Sequence, residues 1–153
     1  MNRSVAREIA VHFSYELGFT DLTVDQLLDQ RLTKEAFDQL KEEYGIYGEL
    51  PNHKQELYIR QLVRGVDEHA AELDGYIGKY AVGWSFSRIS LVAAAIMRVA
   101  MYEILYMPEI PASVAINEAL EIAKKYESPE TTRFMNGILG TFVREEGKSL
   151  GLV

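Results

Sequence analysis

The chain has 153 residues, enough for one domain or two small lobes with a shared core, with 48% hydrophobic and 25% charged residues. It has no cysteine, which excludes disulfides, zinc–thiolate and iron–sulfur sites and thiol catalysis. Its net charge of −7 argues against strong unaided nucleic-acid binding, although screening within about 8–10 Å leaves room for a local basic patch.

Periodicity predicts helices and no strands. Asn2 is placed to cap a first helix whose stripe is Val5, Ile9, Phe13 and Leu17, with Gly18 as its stop. A short helix fits residues 24–30. Thr33 caps a third that reaches Gly45, and residues 45–53 read as a loop. Asn52 and Gln55 form a capping-box pattern. It opens a long helix running to Tyr80, with a bend expected at Gly75 and Gly78. Residues 91–107 are apolar almost all round, but Arg98 and Glu103 interrupt a run already shorter than the ~20 residues of a membrane span. This helix, started by Ser87, belongs in the core. Pro108 and Pro111 force a turn. Ser113 is expected to cap the next helix, with the stripe Ile116, Ala119, Leu120, Ala123 and Tyr126. Ser128-Pro129-Glu130 starts the last one, with Phe134, Ile138 and Phe142 inward and Gly147 as its stop. The expectation is an all-α bundle of six or seven helices.

Chemistry-bearing patterns are scarce. There is no phosphate-binding glycine loop, no HExxH and no nucleophile elbow. His12, His53 and His69 are scattered, and the His69/Glu72 pair is too small a set for a metal. No cofactor is expected, and no catalysis. Glu8 stands where a secretory apolar segment would run, so the cytoplasm is the expected compartment.

Two places suit nucleic acid. Arg3 and Arg7, one turn apart at the start of the first helix, oppose the helix dipole, a small cost that contact with an external phosphate would offset. Phe134 beside Arg133 reads as core first, but it also suits stacking with a base, worth ~1–3 kcal/mol. Gly137 and Gly140 inside a helix suggest close approach of a neighbour. Asn117 and Asn136 then read as buried or half-buried amides that lock the last two helices together.

Residues 77–139 resemble the NusB family of bacterial transcription antitermination factors. The resemblance rests on Ile77-x-x-Tyr80, Trp84, Arg88, "AIMRVAMYEIL", "IPASVAINEALEIAKKY" and "RFMNGIL", in this order and separation. "AREIAVHFSY" extends it thinly to the N-terminus, and residues 31–53 look like a variable insertion. The resemblance implies a single NusB-like domain of two three-helix lobes, about 1–76 and 77–153. It implies binding of the single-stranded boxA element of ribosomal RNA leaders together with NusE, the small-subunit ribosomal protein numbered ten, within the elongating RNA polymerase complex. The RNA contacts it implies are Arg3, Arg7, Tyr15, Glu130, Thr131, Thr132, Arg133 and Phe134. Trp84, Arg98, Glu103, Asn117, Glu118, Asn136 and Gly137 fall on its structural motif. The competing reading is a helical adaptor that binds NusE or another protein without touching RNA. A homodimer that buries the N-terminal arginines would mask the RNA site.

Overall fold

The structure is a computed structural model that describes residues 1–83 and 89–151. Trp84, Ser87 and Arg88 lie outside the described residues. Among those described there are eight α-helices, one 3-10 turn and no strand. No helix among them is long and apolar enough to cross a membrane. The chain forms two compact units, Met1–Glu68 and His69–Val153.

The first unit holds α1 (Arg3–Leu17), α2 (Val24–Arg31), α3 (Lys34–Leu40) and α4 (His53–Glu68). All four starts have side-chain caps: Asn2 accepts from Val5 N, Thr23 forms a full capping box with Gln26, Thr33 accepts from Ala36 N, and Asn52 forms a second capping box with Gln55. Ile9, Ala10 and Phe13 of α1 bury against α4, which contributes Ile59, Leu62, Val63 and Val66; Leu27 and Leu28 of α2 complete the core. Each of these side chains larger than alanine contributes about 1.5–3 kcal/mol when fully buried. α3 stops at Leu40 rather than continuing to Gly45. The expected loop contains a 3-10 turn, Gly45–Tyr47, because Tyr47 is drawn inward. Its ring meets Phe37 edge-on at 5.0 Å, and its hydroxyl lies 2.9 Å from His12 Nδ1. Burial pushes the Tyr47 hydroxyl well above the ordinary tyrosine range. Arg31 is held by a hydrogen bond to Glu16, which raises its pKa further.

The second unit packs α5 (Ala70–Tyr80), α7 (Ala112–Tyr126) and α8 (Pro129–Leu150) against α6 (Leu91–Tyr106). Residues 93–97 and 99–104 of α6 are all buried, as its all-round apolar pattern requires. Ser90 caps it, accepting from Ala93 N at 3.0 Å. The expected long helix is interrupted at His69, not at Gly75 or Gly78, which lie exposed within α5. His69 takes ψ 17°. Its ring stacks on Tyr106 at 4.3 Å, and Tyr106 donates to Glu72 at 2.6 Å, so the start of α5 is pinned to α6. That hydrogen bond raises the Tyr106 pKa to about 12.

Five further features differ from expectation. Ser113 is not a cap: α7 starts at Ala112, and the Pro111 carbonyl accepts from Val114 N and Ala115 N. The buried stripe of α7 is Ala115, Ala119, Ile122 and Ala123, rotated from the one expected. Gly147 is buried inside α8, which ends at the left-handed Gly151, φ 73°. Asn117 and Asn136 are exposed, so they do not lock α7 to α8. Asn117 falls between Ala115 and Ala119 on the turn of the helix, and Asn136 follows buried Met135 by one residue, about 100° round the axis. Gly137 is exposed, with nothing within 4 Å of an added Cβ, and Gly140 meets only the flexible end of Arg144. Neither marks close approach of a neighbouring backbone.

Candidate nucleic-acid interface

In the first unit the start of the chain is tied to the start of α4. The Met1 ammonium pairs with Glu49 at 2.6 Å, and the Gln55 amide donates to the Met1 carbonyl. Asn52 and Gln55 complete the capping box, each side-chain oxygen accepting from the other's backbone N–H at 2.9 Å. Between these segments lies an open groove of about 230 Å³ lined by Arg3, Ala6, Asn52, Lys54, Gln55 and Tyr58. The Arg3 guanidinium sits over the Tyr58 ring, 4.1 Å from its centre. Arg7 lies 5.9 Å from the same ring and is only 3% exposed, so it is not the surface arginine that its spacing suggested. Tyr15 is 38% exposed and packs on Phe19, itself 61% exposed, with ring centres 4.9 Å apart. Twelve residues of helix place Tyr15 about 18 Å along α1 from Arg3, outside the groove.

In the second unit the α7–α8 corner carries the other candidate residues. Ser128 accepts from Thr131 N at 3.1 Å, and its hydroxyl donates to that of Thr131. Thr132 donates to the Ser128 carbonyl at 3.0 Å. Both threonines are therefore spent on starting α8. Glu130 and Arg133 are exposed and Phe134 is half-buried. A groove of about 370 Å³ is lined by Lys124, Glu127, Pro129, Thr132 and Arg133. Its charge is mixed: Lys124 is paired with Glu121 at 2.8 Å, while Glu127 accepts from Ser90.

Many cations of the surface are paired, whereas Lys34, Arg144, Lys148 and three groove-lining cations pair with no carboxylate among the described residues. Arg60 pairs with Asp29 and Glu56, Arg64 with Asp25, Arg98 with Asp74 and Lys79 with Glu146. Among the described residues, the side chains of Arg3, Lys54 and Arg133 pair with no carboxylate. Unneutralised cations lining grooves on a −7 chain suit anionic ligands. Sequence reasoning found Arg3 and Arg133 but missed Lys54, Tyr58 and Lys124. A readable signal for Lys54 was available: it stands inside a capping box, between Asn52 and Gln55, and no acid stands three or four residues away to absorb its charge. Of the motif residues, Arg98 donates to Asp74 at 2.6 Å, Glu103 is fully buried and Glu118 is half-buried. No group of three or more potential metal ligands occurs among the described residues.

A family model described as the NusB family matches residues 4–144. The chain belongs to the NusB family. A transcription antitermination protein NusB from Symbiobacterium thermophilum is 37% identical, with 94% of this chain and 90% of the relative covered. That from Bacillus subtilis is 34% identical over 91% of this chain and 92% of its own length. Among solved structures, NusB of T. maritima is 30% identical with a TM-score of 0.76, covering 95% of this chain and 92% of the other. A structure of antitermination factors NusB and NusE in complex with double-stranded RNA shares the NusB fold, with a TM-score of 0.72 at 21% identity over 94% of this chain and 96% of the other.

Proposed function

We infer that this chain is a transcription antitermination factor that binds boxA-type RNA of ribosomal RNA leaders together with NusE and joins the elongating RNA polymerase complex. The observation that carries the inference is the family match over residues 4–144, with relatives named as antitermination proteins over nearly their whole length. It acts by binding, with no catalytic step of its own, and works in the cytoplasm where transcription proceeds. Arg3 and Arg133 supply the exposed phosphate contacts in this reading. Arg7, enclosed beside Tyr58, acts as a positioning residue. Tyr15 and Phe134 offer rings, and residues 130–132 shape the approach to Arg133.

Each phosphate contact with single-stranded RNA contributes about 0.7 to the slope of log K against log salt, so the three unpaired cations that line grooves amount to only ~2. That is a weak grip, and a basic partner that extends the surface would strengthen it. A gel-shift titration of boxA-type RNA, run with and without NusE at two salt concentrations, tests the inference. The expected result is weak binding to the chain alone and much tighter binding to the pair. A pair that forms but ignores the RNA would overturn it in favour of a protein adaptor.

A further inference from the structure

We propose that the groove at the start of α4 is a phosphodiester subsite for single-stranded RNA that reads no base. The proposal rests on the RNA-binding function inferred above and extends it to Lys54 and Tyr58. Arg3 and Lys54 line one groove of about 230 Å³, and neither pairs with a carboxylate among the described residues. Most other cations of the same unit are consumed: Arg31 by Glu16, Lys41 by Asp38, Arg60 by Asp29 and Glu56, Arg64 by Asp25, and the Met1 ammonium by Glu49; Lys34 is unpaired but lines no groove with Arg3. The Arg3 guanidinium lies over the Tyr58 ring, a contact that takes none of its five N–H donors from an anion.

Nothing else in the groove can identify a base. Bidentate base contact by Asn or Gln needs a free amide donor and acceptor together. The carbonyl oxygens of Asn52 and Gln55 are both taken by the capping box, and the Gln55 amide also donates to Met1. Tyr58 is 6% exposed and its face is covered by Arg3, so it offers no stacking platform. What remains is charge, and charge positions a strand without specifying it.

The test uses the full chain with NusE, a labelled boxA-type RNA and a scrambled RNA of equal length. Lys54→Gln is expected to weaken both RNAs by the same factor, about five-fold near 0.1 M salt, and to lower the salt slope by ~0.7. Arg3→Gln should behave alike, and Lys54→Gln should leave the thermal midpoint unchanged because Lys54 is exposed and has no partner. Wild-type slope and affinity in Lys54→Gln, or a loss confined to one RNA, overturns the subsite. If Arg133→Ala weakens binding while Lys54→Gln does not, the subsite alone falls. If the wild-type pair binds neither RNA, the inferred function falls with it.

Discussion

Arg133→Ala isolates what the α7–α8 corner contributes. Arg133 is exposed and pairs with no carboxylate among the described residues, so its removal strands no buried partner and should leave folding intact. The loss is therefore confined to the bound state. One contact with single-stranded RNA contributes about 0.7 decade of affinity per decade of salt. Referred to 1 M, where counterion release contributes nothing, the contact is worth about five-fold at 0.1 M salt and about two-fold at 0.4 M. The assay is fluorescence anisotropy of labelled boxA-type RNA titrated with the chain and NusE at those two concentrations. The variant should show a large deficit at low salt and a small one at high salt, with a correspondingly shallower slope. An equal deficit at both concentrations would mean that Arg133 acts through packing or base contact. No deficit at low salt would remove it from the interface.

Three further outcomes follow from the packing. Phe142 is fully buried on α8, with Tyr76 edge-on at 5.0 Å and Tyr80 at 6.4 Å. Phe142→Ala should cost about 3–5 kcal/mol, which calorimetry would register as a fall of roughly 6–20 °C; a loss below about 1 kcal/mol would contradict the packing. Hydrogen bonds from Tyr80 and Lys79 hold the Glu146 carboxyl below its ordinary range. Because the folded value is the lower one, this clip between α5 and α8 is fully stabilising above the ordinary carboxylate range near ~4.3 and is lost as pH falls through the depressed value. The difference in thermal midpoint between wild type and Glu146→Gln should thus shrink on acidification, and a constant difference would refute the assignment. Asn117→Ala and Asn136→Ala should each change stability by no more than about 0.5 kcal/mol, since both side chains are exposed. A loss of ~2 kcal/mol in chemical denaturation would revive a buried interlock.

Helix identity was legible because a 3.6-residue apolar period and a cap are local properties. Asn2, Thr33, Asn52 with Gln55, and Ser128 all cap the helices their positions implied. The all-round apolar pattern of residues 91–107 fixed α6 as a core element for the same reason. Arg3 and Arg133 stood out as cations with local surroundings apt for an anion, and both proved exposed. Other features depended on partners distant in the chain. The break at His69 reflects a ring stacked on Tyr106, 37 positions away, while the local signals Gly75 and Gly78 were absorbed by a helix whose Leu73 and Ile77 are buried. The enclosure of Arg7 beside Tyr58, and the exposure of Asn117, Asn136 and Gly137, depend on which azimuth of each helix faces its neighbours. Residue type and spacing determined by themselves that this chain is helical, acidic and patterned as a NusB-family protein. Which cations stay unpaired, and which of them share a groove, was decided only by tertiary structure, because pairing requires carboxylates that folding brings in from elsewhere in the chain.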